Sequence, residues 1–251
     1  MYRIIDTHAH LDEVENLDDA IAQAKEAGVV GIIAVGSDIA SNVKTLAIAE
    51  KYPHFVYAAL GWHPWYLKEA DIEASLEFIR ANIDKAVGIG EVGLDYHKRA
   101  RAIADKDLQQ RVLRELLKIA EDYDKPALIH SRYAWRDACD MVREAGLTKA
   151  VFHWYTGTSS VLRDIIESGY YISVTPAVEY HEEHRRAVKE APLEQLLLET
   201  DSPVVYARGR EGEFRASPAD AARSLRGAAE LKGLSEAAMA ARTTENARRL
   251  I

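Results

Sequence analysis

The chain has 251 residues, of which 48% are apolar and 29% charged, so it carries enough apolar surface for a large core and is not a disordered polymer. Its net charge of −8 argues against a broad electrostatic footprint on nucleic acid, although a nucleic-acid substrate held locally remains compatible. No apolar run approaches the ~20 residues that span a bilayer. The single cysteine rules out an internal disulfide.

Apolar runs and helical patterns alternate from end to end. Strands are predicted at Arg3–Asp6, Val29–Val35, Phe55–Leu60, Ala86–Ile89, Ala127–Ile129, Ala150–Phe152, Tyr170–Val174 and Gln195–Leu198. Val29–Val35 shows little polar alternation, as expected of a parallel strand covered on both faces. Helices are predicted at Leu17–Ala27, Ile39–Lys51, Ile72–Asn82, Asp105–Tyr123, Tyr133–Ala145, Val161–Ser168, His184–Glu190, Ala219–Leu231 and from Glu236 toward Leu250. Gly28, Gly146 and Gly169 stand at helix stops. Cys139 falls on the Tyr133–Ala145 helix and reads as a small buried residue. Eight such units predict one (β/α)8 barrel over residues 1–251, with an extra C-terminal helix. The N-terminus enters a strand directly, without a signal-peptide layout, so a cytoplasmic location is expected. The long irregular stretch Ser202–Ser217 would overhang the carboxyl end of the barrel.

Polar signatures close the apolar runs. His8 and His10 are two apart, which points both to one face, and two imidazoles beside Asp6 suit metal ligation. Asp6 is expected to be a supporting or structural carboxylate, orienting an imidazole through its other nitrogen. Glu91 follows Gly88-Ile89-Gly90, where a carboxylate has room to bridge two metals. His130 and His153 end adjacent strands. Asp201 follows the last run, where it can ligate and act as general base, with Glu199 one strand period behind it. His54, His97, His181 and His184 fall outside this set, and the last two are expected to be exposed on a helix.

Together, Asp6-Thr7-His8-Ala9-His10-Leu11-Asp12, Gly61-Trp62-His63-Pro64, Gly90-Glu91-Val92-Gly93-Leu94-Asp95-Tyr96, His130-Ser131-Arg132 and Glu199-Thr200-Asp201-Ser202-Pro203 resemble the TatD family of metal-dependent hydrolases, within the amidohydrolase-like TIM barrels. The resemblance runs on to Thr244-Glu245-Asn246-Ala247. It implies one metal on His8, His10, Glu91 and Asp201, and a second on Glu91, His130 and His153, with Glu91 bridging. It also implies His63 and Arg132 beside the substrate. The chain departs from the family pattern at His153-Trp154-Tyr155-Thr156-Gly157, where the added aromatic bulk suits base stacking, a narrowed pocket or core packing. A second departure is Arg215-Ala216-Ser217-Pro218, in place of an Asn-x-Pro stretch.

The implied activity is hydrolysis by activated water, with DNA ends as the first substrate class. Carboxylic esters or amides such as D-aminoacyl-tRNA are an alternative, and a non-catalytic metal or nucleic-acid-binding protein is a remote one. The histidine-rich donor set suits two ions of Zn²⁺, Mn²⁺ or another transition metal better than Mg²⁺. No membrane partner or obligate protein partner is expected.

Overall fold

The computed structural model describes residues 2–251. Eight parallel strands close a barrel in chain order: β1 (Ile4–Ala9), β2 (Val29–Val35), β3 (Val56–Leu60), β4 (Gly88–Asp95), β5 (Ala127–Arg132), β6 (Ala150–Phe152), β7 (Tyr171–Val174) and β8 (Leu196–Leu198). Around them lie α1 (Leu17–Glu26), α2 (Ile39–Lys51), α3 (Ile72–Asn82), the short α4 (Lys98–Arg101), α5 (Lys106–Asp122), α6 (Trp135–Glu144), α7 (Ser159–Glu167), α8 (Glu182–Glu190), α9 (Ala221–Lys232) and α10 (Glu236–Leu250). The predicted α/β barrel with an additional last helix is therefore the observed fold.

Local chemistry sets these elements. Asp38, Asp105, Thr158 and Ser235 cap their helices by accepting backbone N–H groups in the first turn. On α5, Val112, Leu116 and Ile119 face the barrel and are buried, the stripe that the three-and-four spacing predicts. A small cluster fills the barrel interior: Ile5, Ile33, Val35, Ala59, Leu128, Val151 and Leu197, joined by Ala247 and Leu250 of α10. The last helix thus plugs the amino end. It is fixed there by hydrogen bonds from Thr244 Oγ1 to the Arg3 carbonyl and from Asn246 Nδ2 to the carbonyls of Leu193 and Leu196.

Three strands run further than their apolar content predicts. β1, β4 and β5 continue through His8, Glu91 and His130, so these polar groups lie within strands rather than after them. β1 and β4 also carry register irregularities, between Asp6 and Ala9 and between Ile89 and Val92. Such an irregularity re-phases a strand. Ile5 joins the interior cluster, and His8, three residues on, also faces the centre.

The stretch after β8 is ordered by a small hairpin, β9 (Val205–Tyr206) with β10 (Phe214–Arg215). Tyr206 is buried and packs against Trp154 and Phe214. Tyr155 is fully buried. Of the roles open to this aromatic pair, the structure gives Tyr155 core packing and Trp154 the support of the hairpin.

Candidate metal centre

The carboxyl ends of β1, β4, β5 and the segments after β6 and β8 converge on Glu91. Its two oxygens address different neighbours. Oε2 lies 3.2 Å from His10 Nε2 and 3.6 Å from His8 Nε2, whereas Oε1 lies 2.9 Å from both His130 Nδ1 and His153 Nε2. Asp201 Oδ1 completes the first side, at 3.5 Å from His10 Nε2 and 3.7 Å from His8 Nε2. His8, Glu91, His153 and Asp201 are all buried. All six residues expected from the sequence as ligands meet here.

The donor set fits divalent ions. Neither ring nitrogen of buried His8 has a hydrogen-bond partner. Leaving such groups unpaired in a core is costly, and a cation removes the cost. Donor atoms of His8, His153 and Asp201 lie within 4.8 Å of one another, as do those of His8, His10 and Glu91. Imidazoles with carboxylates are the ligands of borderline transition ions.

Charge explains the protonation of the cage. Burial disfavours the charged forms, but the facing groups outweigh it at most positions. Glu91 is held well below the usual carboxylate range despite its burial, by His63, His153, His10 and His130. Asp201 is lowered despite burial, chiefly by His10. Burial opposes protonation of His10, yet its contacts with Asp201 and Glu91 lift it to about 10. His153 is raised by Glu91 and Glu199 against the same penalty. His8 is pushed down by burial and by His153.

His63 sits nearer the cage than a residue serving the substrate alone requires. Its Nε2 is 3.4 Å from Glu91 Oε1, and it forms a third donor group with Glu91 and His130. Burial lowers its pKa to about 3, so the ring is neutral. Its Nδ1 accepts the backbone N–H of Trp65 at 3.2 Å. The ring hydrogen therefore resides on Nε2, which makes that atom a donor toward the site rather than a lone pair for a cation.

Asp6 corrects an expectation. It does not orient an imidazole; Oδ1 accepts the backbone N–H groups of Thr200 and His8, and Oδ2 accepts Thr200 Oγ1 at 2.6 Å. It clamps β1 to the chain after β8, which brings His8 to Asp201. Asp201 itself takes a left-handed backbone, φ 48°, a conformation Asp tolerates better than most residues. Glu199 accepts the Trp154 backbone N–H at 2.9 Å and faces His153 Nδ1 at 3.7 Å. Arg132 lies on β5 two residues beyond His130, and no carboxylate among the described residues is within 4 Å of it.

Two residues escaped sequence reasoning. Asp95, at the end of β4, faces His130 Nε2 at 3.4 Å and accepts the Trp65 indole N–H and the His97 backbone N–H. His130 therefore lies between two carboxylates. The signal was present, since Asp95 closes one of the polar signatures. His184, expected on the surface, is fully buried; Nδ1 pairs with the Tyr155 carbonyl and Nε2 accepts the Thr175 N–H. Its helix turns that face inward to support the segment carrying Trp154 and Tyr155.

The family described as TatD related DNase matches residues 5–251. The chain belongs to the TatD family. A human relative, Deoxyribonuclease TATDN3, is 32% identical over 98% of this chain and 94% of its own length. The metal-dependent hydrolase YabD of Bacillus subtilis is 34% identical, with 98% of each chain covered. The crystal structure of YjjV, a TatD homologue from Escherichia coli, superposes with a TM-score of 0.88 at 30% identity, over 99% of this chain and 97% of that one. This chain is a TatD-type metal-dependent hydrolase.

Proposed function

We propose that this TatD protein is a two-metal phosphodiesterase acting on DNA ends. The observation that carries the reading is the division of Glu91: one oxygen faces His8 and His10, the other His130 and His153. His8, His10, Glu91 and Asp201 would hold one ion, and Glu91, His130 and His153 the other. Bound divalent ions of this kind supply Lewis acidity, which activates water near neutral pH and polarises a scissile ester.

The protein groups supply the rest. Asp201 is ionised and accepts the proton of the attacking water. Neutral His63 presents Nε2–H to the oxygen on which charge develops. Arg132, free of a carboxylate partner, is suited to a neighbouring phosphate oxygen. The nuclease names of several relatives support DNA over a carboxylic ester.

The test is an activity screen across Zn²⁺, Mn²⁺, Ni²⁺ and Mg²⁺, with end-labelled single-stranded DNA and a D-aminoacyl-tRNA as substrates. DNA shortened from an end, with loss of turnover in Glu91→Gln, is expected. Intact DNA from an enzyme that deacylates the aminoacyl ester would overturn the nuclease reading. Metal analysis gives the number of ions; one per chain in fully active protein would overturn the bridging role of Glu91.

A further inference from the structure

Large aromatic rings are rarely both exposed and immobilised. Trp65, in the segment after β3, is both: the residue is 46% exposed, and it is tied at two points. Its backbone N–H donates to His63 Nδ1 at 3.2 Å, and its indole Nε1–H donates to Asp95 Oδ2 at 2.7 Å. Asp95 is fully buried and faces His130. The Trp65 ring stands 5.5 Å from the His63 ring at 77° to it, so it borders the Glu91 cage.

This anchoring determines what the ring can recognise. The only hydrogen-bond donor of its side chain is committed to Asp95, so what the ring can offer a partner is apolar π surface, held in one orientation. A ring fixed before binding loses little conformational entropy when a partner lands on it. Two further exposed rings border the same mouth. Tyr66 follows Trp65 and lies 6.3 Å from His63. Tyr133, 59% exposed, stacks on His97, whose backbone N–H binds the same Asp95 carboxylate. Flat apolar surface beside a cage suited to divalent cations matches a nucleotide, with its planar base and charged ester.

We propose that Trp65 is the stacking residue that seats the nucleobase next to the ester being cut, and so sets which bond reaches the Glu91 cage. The proposal rests on the phosphodiesterase reading for its substrate, and its test separates the two. Trp65→Phe keeps a face and removes the indole N–H; Trp65→Ala removes both. Metal-loaded wild type and both variants are assayed on a short single-stranded oligodeoxynucleotide. Binding of a phosphorothioate version is followed by fluorescence anisotropy, which reads contact without turnover.

With stacking, Trp65→Ala raises KM and weakens anisotropy binding by roughly 5- to 150-fold, the range for loss of one stacked base, while Trp65→Phe stays within about 5-fold. A loss in Trp65→Phe equal to that in Trp65→Ala, falling on kcat with a shifted pH profile, would overturn the proposal; Trp65 would then serve only to position Asp95 and His130. Unchanged KM and binding in Trp65→Ala, with DNA still cleaved, would overturn stacking and leave the phosphodiesterase reading intact. Oligonucleotide binding that weakens in Trp65→Ala without any cleavage by wild type would support stacking and sink that reading. No binding at all would sink both.

Discussion

Gly61→Ala isolates the geometry of the metal centre from its chemistry. Gly61 follows β3 and is gripped by Asn42, which accepts its N–H at 3.0 Å and donates to its carbonyl at 2.8 Å. A methyl group there would lie 2.4 Å from the Glu91 backbone N and O and from the Gly90 carbonyl carbon. All three are backbone atoms, so no side chain can swing aside. Restoring an ordinary contact of 3.4 Å or more requires a shift of about 1 Å in the backbone that carries Glu91. Overpacking of this kind costs about 1–3 kcal/mol of stability. A 1 Å misplacement of a reacting group costs on the order of 10²-fold in rate. Gly146→Ala is the control: its φ is 70°, nothing lies within 4 Å of the added carbon, and it sits after α6 away from the cage. That variant loses about 1–2 kcal/mol through backbone strain alone. Thermal melts, metal content and kcat of both proteins are compared. Gly61→Ala is expected to lose kcat and metal, and Gly146→Ala only stability. Native kcat and full metal in folded Gly61→Ala would refute the claim that the β3 end sets the position of Glu91.

Three further outcomes are expected. Burial lowers His184 from 6.5 to about 4, so the unfolded chain binds its proton first as the pH falls. Stability is therefore complete above pH 6.5 and falls by about 3 kcal/mol on the way to pH 4; chelated His184→Gln should lose that share of the slope, and equal slopes in the two proteins would contradict it. Asp6→Ala removes the acceptor for Thr200 and His8 and should cost about 2–4 kcal/mol in urea unfolding, with weakened metal retention, because buried donors lose their partner. Chelation of metal-loaded protein should lower the melting temperature, and re-addition at about 100-fold above Kd should restore about 2.7 kcal/mol; a melt indifferent to metal would contradict a cage within the folded core.

The fold was legible because parallel strands covered on both sides are written as apolar runs. Val29–Val35 and Ala150–Phe152 match their strands end to end. The carboxyl ends of β1, β4 and β5 were obscured by function itself, whereas those of β3, β7 and β8 fall where predicted. Glu91 and His130 interrupt hydrophobicity while the strand ladder continues, so the run stops before the strand does. Strict alternation from Ile5 would turn His8 away from the interior, and only the register irregularity on β1 brings it back. Such an irregularity has no composition signal. His184 was misread because a helix this polar reveals its buried stripe only when its packing partners are known. The partnership of Asp95 with Trp65 was hidden for a related reason, as thirty positions separate the two in the chain.

The seam between β1 and β8 has a consequence in time. Asp6 grips Thr200, the His8 carbonyl accepts the Asp201 N–H, and His10 donates its backbone N–H to the Ser202 carbonyl. The contacts that close the ring are the ones that assemble His8, His10 and Asp201. A chain emerging from its N-terminus carries the His8 and His10 imidazoles for most of its synthesis, but the half-site they share with Glu91 and Asp201 is incomplete until residues near 200 have docked. Capture of an ion by that half-site thus marks the end of folding rather than guiding its start, and an immature chain is spared a complete two-metal centre.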